Sequence, residues 1–191
     1  MGSIGVHEFI SLDGVFESPS WTMEFGFDPR MGETLAAITS SATAILLGRT
    51  TFEMFAPAWS TRTVDDDPGA PFFNDTTKHV VSSTLTDPAS TWRNSVAFGP
   101  YDADRVRALK DQTDGTIYVS GSGRLVRALL ADGLVDHLHL FVYPVVLGEG
   151  MRLLGEGMPR TTLALRDTTT YDNGVLHLDY MQPAADAQRT A

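Results

Sequence analysis

The sequence predicts an α/β fold, a mostly parallel sheet with an antiparallel hairpin at one edge, on three observations. Short apolar runs alternate with amphipathic stretches as far as Gly133, which is the order of successive β-α-β units. Beyond Gly133 strand patterns follow one another directly. Two of them are joined by Asp172-Asn173-Gly174, and Asn-Gly between alternating runs is a strong local hairpin signal. With 191 residues, 42% hydrophobic and 20% charged, the chain suits one domain with a full core.

The elements follow in order. Ile4 to Leu12 reads as the first strand, although its apolar residues slip out of strict alternation, a sign of burial on both faces or of a bulge. Asp13-Gly14 ends it in a turn. Val15 to Arg30 is a long loop carrying Trp21, Phe25 and Phe27, the make-up of a pocket wall or lid. Met31, Leu35 and Ile38 place a helix over Pro29 to Ser41. Ala44 to Leu47 is a buried strand closed by Gly48, followed by a helix from Thr50 to Phe55 that stops near Pro57. Asp65-Asp66-Asp67 lies in a solvated loop and lacks the twelve-residue calcium pattern. Pro71 to Thr77 makes one or two helical turns, and His79 to Ser82 and Trp92 to Phe98 are strands. A helix over Asp102 to Gln112 rests on Val106 and Leu109. The strand Thr116 to Val119 runs into Gly121-Ser122-Gly123, and Leu125, Val126, Leu129 and Leu130 mark a helix ending at Gly133. Val135 to Leu147 is expected to be the longest strand, with the hairpin over Leu163 to Tyr171 and Val175 to Tyr180. The domain is expected to span residues 1–182, with a polar, Ala-rich flexible tail at 183–191.

Composition narrows the function. The formal charge of −10 argues against nucleic acid and anionic membranes as partners, while a small anionic ligand needs only a local positive site. The absence of cysteine removes disulfides, thiolate zinc sites and cysteine nucleophiles. No signal-like segment or long apolar span is present, so a cytoplasmic protein is expected.

Two strand-to-helix junctions stand out, Leu46-Leu47-Gly48-Arg49-Thr50-Thr51 and Val119-Ser120-Gly121-Ser122-Gly123-Arg124. Each puts glycine at the carboxyl end of a strand, where unpaired helix amides and the helix dipole attract an anion. A tight bend alone would also account for each glycine. Arg49 adds a fork of donors suited to a phosphate monoester, or is a surface arginine at a helix start. The dinucleotide fingerprint G-x-G-x-x-G is not met, because Val126 stands at its last glycine.

These junctions, with Ile10-Ser11-Leu12-Asp13-Gly14, Val80-Val81-Ser82-Ser83-Thr84-Leu85, Gly133-Leu134-Val135-Asp136 and Pro144-Val145-Val146-Leu147-Gly148-Glu149-Gly150, resemble the dihydrofolate-reductase-like superfamily. The closer resemblance is to its bacterial branch related to the RibD C-terminal, riboflavin biosynthesis reductase, domain, from about Ser3 to Tyr180. It implies a central sheet with helices on both faces and an NADPH-dependent reductase, with relatives that are often homodimers. It implies that Gly48, Arg49 and Thr51 hold the adenosine side of the cofactor, that Ser82 and Ser83 flank the 2′-phosphate, and that Gly121, Ser122 and Gly123 receive the pyrophosphate. The chain departs from the pattern at Ser83, where many relatives carry Arg. The deaminase domain of the riboflavin proteins needs a Cys-x-x-Cys pair, which this chain lacks, so no deaminase activity is expected.

On the substrate side, Asp13 is expected to orient or protonate a substrate, or else to serve the turn. Glu17, Glu24 and Glu33 are other acids near the aromatic loop. Trp21 and Phe25 would stack on a planar substrate or pack in the core. His137 and His139 project from one face of a strand at metal-ligand spacing, but no third ligand is close in sequence, so no metal is expected. The expectation is hydride transfer from NADPH to a small heterocyclic or carbonyl substrate. The alternative is a nucleotide- or ligand-binding regulatory protein of the same fold without turnover.

Overall fold

Successive side chains of a strand point to opposite faces, so a central strand of a covered sheet must be apolar on both. Ala44 to Leu47 meets that condition, and all four residues are buried. The computed structural model describes residues 2–155 and 157–183. Its elements are β1 (Ser3–Ser11), α1 (Pro29–Ser40), β2 (Ala42–Gly48), α2 (Arg49–Trp59), α3 (Ala70–Asp75), β3 (Thr77–Val81), β4 (Ser95–Gly99), α4 (Ala103–Gln112), β5 (Thr116–Ser120), α5 (Gly123–Ala131), β6 (His137–Tyr143), β7 (Ala164–Thr170) and β8 (Leu176–Met181). The strands form one sheet in the order β4-β3-β2-β5-β1-β6-β8-β7. The pairs from β4 to β6 are parallel. Strand β8 runs antiparallel to both β6 and β7.

One layer of core gathers Ile4, Val6, Leu46, Ile117, Val119, Leu138 and Leu140 under Val106 of α4 and Leu125, Val126 and Leu129 of α5. On the other face Ile45, Leu47, Val80 and Tyr118 pack against Phe52 and Ala56 of α2 and Phe73 of α3. Farther along that face Phe141 and Tyr143 meet Met31 of α1 and Tyr171 and Val175 of the hairpin. Each fully buried side chain of this size contributes about 1.5–3 kcal/mol. The broken alternation of the first strand reflects burial on both faces, since β1 keeps an unshifted register with β5 and β6.

Several boundaries differ from expectation for local reasons. Helix α2 continues through Pro57 to Trp59. Proline removes its own amide but not those beyond it, and Ser60 N–H still donates to Ala56 O at 2.9 Å. Strand β4 begins at Ser95, not Trp92, because Asn94 takes a positive φ of 56° and breaks the extended run. Trp92 is instead buried ahead of the strand, its Nε1 donating to Asn74 Oδ1 at 2.7 Å. The longest strand is β1, of nine residues, and β6 has seven. Pro144, which has no amide to donate, ends the β6 pairing. The aromatic loop holds a 3₁₀ helix over Pro19–Phe25. The Asn-Gly hairpin closes with Tyr171 N–H donating to Val175 O at 2.9 Å. The expected tail lies outside the described residues from 184 onward.

Candidate functional site

Strands β2 and β5 are neighbours, yet their connections diverge. From β2 the chain goes through α2 toward β3, and from β5 through α5 across β1 to β6. A crevice at the carboxyl ends of such a strand pair is where open α/β sheets take ligands. Both glycine junctions lie here, locked together by one hydroxyl. Ser122 Oγ accepts from Gly48 N–H at 2.9 Å and donates to Thr51 Oγ1 at 2.6 Å.

That lock explains the glycines. A Cβ on Gly48 would lie 2.5 Å from Ser122 Oγ, one on Gly121 2.7 Å from Thr51 Oγ1, and one on Gly123 2.5 Å from the Phe16 ring. Gly121 and Ser122 both have positive φ, 64° and 61°, a conformation a non-glycine residue adopts at a cost. Gly48, Gly121, Ser122 and Gly123 therefore shape the crevice and join its two walls. Thr51 is buried and fastens them. The first amides of α2 and α5 have no side-chain cap, whereas Asp28 caps α1 and Asp102 caps α4. Uncapped amides at adjacent helix starts are donors for an anion.

Arg49, half-exposed at the start of α2, pairs with Glu53 at 2.6 Å and donates to Thr84 Oγ1 at 2.6 Å. Ser82 Oγ accepts from the Thr84 and Leu85 amides at 3.1 and 3.0 Å. The guanidinium thus reaches the turn after β3 through Thr84, while Ser83 is exposed on it. Glu53 and Thr84 complete this cluster, and sequence reasoning had not assigned either a role. Glu53 was findable as an acid four residues beyond Arg49 on one helix.

The loop after β1 and the turn after β6 come together. Leu12 N–H donates to Val145 O, Phe16 N–H to Met151 O, and Met151 N–H to Glu17 Oε2 at 3.0 Å. Between them lies a cavity of about 360 Å³ lined by Val15, Glu17, Ser18, Trp21, Leu147, Glu149 and Gly150. Trp21 and Phe25 both set their rings edge-on to Tyr143, at 5.4 and 5.6 Å. Trp21 also lines the cavity, whereas Phe25 serves packing. Among the other loop acids, only Glu17 lines it.

Asp13 stands where the loop after β1 meets the turn after β6. Its carboxylate accepts from Ser11 Oγ at 2.7 Å and from the Leu147 and Gly148 amides at 3.1 and 2.9 Å, with Arg152 at 3.3 Å. Hydrogen bonds from Ser11, Leu147 and Gly148 hold it far below the usual carboxylate range. It anchors the end of β1 to the turn after β6. Glu8 is the opposite case. It is buried in mid-strand, one oxygen has no partner, and burial pushes it up to about 8 against the pull of the Gly121 amide. The signal for Glu8 was an acid inside a strand buried on both faces.

A histidine cluster lies on the face that α1 covers. His139 stands opposite Asp179 and also beside His7 in register. Burial pulls His139 down to about 4, opposed by Asp179, and lowers His177 as well.

A family model described as the RibD C-terminal domain matches residues 3–177. The chain is 26% identical over 175 residues to uncharacterized protein YyaP of Bacillus subtilis, covering 90% of each. Among solved structures it resembles a protein assigned to riboflavin biosynthesis from Shewanella sp. PV-4, with TM-score 0.78 and 17% identity over 94% of this chain and 98% of that one. It also resembles dihydrofolate reductase from Enterococcus faecalis complexed with NADP(H), with TM-score 0.60 and 14% identity over 95% of this chain and 96% of that one. At these identities the structural likenesses establish the fold, which is dihydrofolate-reductase-like.

Proposed function

Because this chain belongs to the RibD C-terminal domain family, we propose that it is an NADPH-dependent reductase of a small heterocyclic or carbonyl substrate. The observation that carries the reading is the crevice between β2 and β5. There two uncapped helix starts abut through Ser122, and Arg49 stands beside the Ser82 to Thr84 turn. The amides at Gly123 and Arg124 would take the pyrophosphate, and Arg49 with Ser82, Ser83 and Thr84 the 2′-phosphate. When bound, the cofactor supplies the hydride.

The rest falls to the chain's own residues. Phe16 lies against Gly123 and so connects the cofactor crevice to the cavity of Val15, Trp21 and Leu147, where the substrate would sit. The clamp of Asp13 on the Leu147 and Gly148 amides fixes one wall of that cavity. Trp21 offers a flat apolar wall to a planar ring. Asp13, its pKa lowered by its hydrogen bonds, would orient a polar substrate atom, and the proton that accompanies hydride would come from another group or from water.

That last point favours one second reading, a nucleotide-binding regulatory protein that keeps the cofactor crevice without turnover. The two separate in one experiment. NADPH and NADH binding is measured by fluorescence, and NADPH consumption is followed over a panel of dihydrofolate, pyrimidine and carbonyl substrates. Tight NADPH binding with consumption supports the reductase. Binding without consumption on every substrate supports the regulatory reading, and no binding of either nucleotide rejects both.

A further inference from the structure

We propose that His137, His139 and Asp179 form a binding site for a divalent metal ion of the zinc class, open to the groove between α1 and the C-terminal hairpin. The sheet register assembles it. His137 and His139 are two residues apart on β6 and share a face, and Asp179 of β8 is the cross-strand partner of His139. Two ligands thus come from one strand and the third from its antiparallel neighbour, 40 residues on in sequence, which is why spacing alone did not reveal it.

The spacings from Asp179 suit one ion, and the two imidazoles, stacked with centroids 5.6 Å apart, must close toward it. One ligand atom from each of the three residues lies within 4.8 Å of the others. Asp179 Oδ1 is 3.3 Å from His137 Nδ1 and 3.7 Å from His139 Nδ1. Tetrahedral zinc with bonds of about 2.0–2.1 Å needs ligand atoms roughly 3.3 Å apart. Imidazole ligates only when neutral. All three residues are partly buried, which restricts the rotamers each side chain can take.

The groove, of about 330 Å³, is walled by Thr34, Ala37 and Ile38 of α1 and by Arg166 and Asp167 of β7. Three protein ligands leave a fourth position for water or an external donor, and here that position faces the groove. His177 Nε2 lies 3.2 Å from His139 Nδ1 and flanks the site. Arg166 acts against the ion. Its guanidinium is 3.3 Å from His137 Nε2, a contact that needs Nε2 unprotonated. Metal on Nδ1 moves the ring proton to Nε2, so Arg166, which is exposed, must swing aside. Without metal, hydrogen bonds link Arg166 to His137 and His137 to Asp179, while His139 pairs with His177. The site begins at the amino-terminal end of β6, away from the carboxyl-end crevice, and does not depend on the reductase reading.

The test uses the full, tag-free chain stripped with chelator. Cobalt(II) should bind one to one, give the intense visible bands of a four- or five-coordinate site, and be displaced by zinc. Zinc titrated by calorimetry should bind with Kd of about 1 μM or tighter. His139→Ala and Asp179→Asn should each weaken zinc about tenfold or more, and Arg166→Ala should tighten it. Circular dichroism checks the fold, and His137→Gln, at the more exposed of the two histidines, gives the same readout if His139→Ala does not fold. Absence of cobalt bands, or zinc affinity unchanged in the folded variants, would show that the cluster is held only by hydrogen bonds and overturn the proposal.

Discussion

In the proposed cofactor site Arg49 would decide the preference for NADPH over NADH, and its two partners oppose each other. Thr84 aims the guanidinium at the turn after β3, while Glu53 neutralises it. A charge-assisted bond to a 2′-phosphate is worth about 1.5–3 kcal/mol, roughly ten- to a hundredfold in affinity. Arg49→Ala should therefore erase most of the preference for NADPH over NADH. Glu53→Gln should raise it by up to about fivefold, the scale of an exposed ion pair. Fluorescence titration of both nucleotides checks the pair, and Arg49→Ala with its preference intact would remove Arg49 from the site. Glu8 sets a pH dependence. Its carboxyl titrates near 4.5 when unfolded and near 8 when folded. Between those values the folded chain holds a proton that the unfolded chain has released, so stability falls as pH rises, by up to about 1.4 kcal/mol per pH unit from this group. Above 8 the contribution levels off. Glu8→Gln should flatten the slope, measured by urea unfolding at pH 6, 7 and 8. An unchanged slope would mean that Glu8 is ionised in the fold.

Among the elements, α3 has only six residues and ends beside β3. Lys78 secures that junction. Its Nζ is buried and donates to the carbonyls of Phe73 and Thr76, both at 2.8 Å, with Trp92 4.6 Å below it. The first is a carbonyl that a short helix leaves unpaired at its C-terminus, and the second belongs to its C-cap. Lys78→Met keeps most of the volume but strands them, and should cost about 1.5–3 kcal/mol. Chemical denaturation measures this, and a loss under about 0.5 kcal/mol would show that water satisfies the carbonyls equally well. The crevice obeys the same logic between elements. Gly121→Val would block anion approach and would also collide with Thr51, so lost cofactor binding in that variant says nothing by itself about the pyrophosphate. Ser122→Ala, which releases the lock without adding atoms, is the better probe. It should weaken both nucleotides together, and unchanged affinity for both would show that the lock does not position the amides.

At the scale of the molecule, the crevice draws on β2, α2, β3, β5 and α5, elements spread over residues 42–131. A ligand there is bound only by the assembled sheet, so binding should stabilise the whole fold. NADPH at a hundredfold excess over its Kd adds about 2.7 kcal/mol. For a chain of this size that raises Tm by roughly 5–10 °C. Differential scanning fluorimetry with NADPH, NADH and adenosine monophosphate reads it out, and no shift at saturating NADPH would reject the cofactor crevice. The net charge of −10 disfavours anions at long range, so the affinity should depend on the local donors and not on steering.

Elements with one dominant local cause were legible in the sequence. The apolar run of β2, the helical spacing of α1 and α5 and the Asn-Gly hairpin follow from periodicity and turn chemistry that a few neighbouring residues impose. The glycine junctions were legible as helix starts for the same reason. What local patterns could not carry was decided by contacts across the sheet. Gly121 is required by Thr51, 70 residues away in sequence. Asp13 reads in sequence as a substrate acid or a turn residue, and only the fold brings Leu147, Gly148 and Arg152 around it. Glu8 has its carboxyl pushed up by burial within the sheet. His137 and His139 gained Asp179 through the register of β6 with β8. Charge state and ligand geometry depend on distance and desolvation, which follow from strand order and register, and those are fixed only when the whole chain has packed.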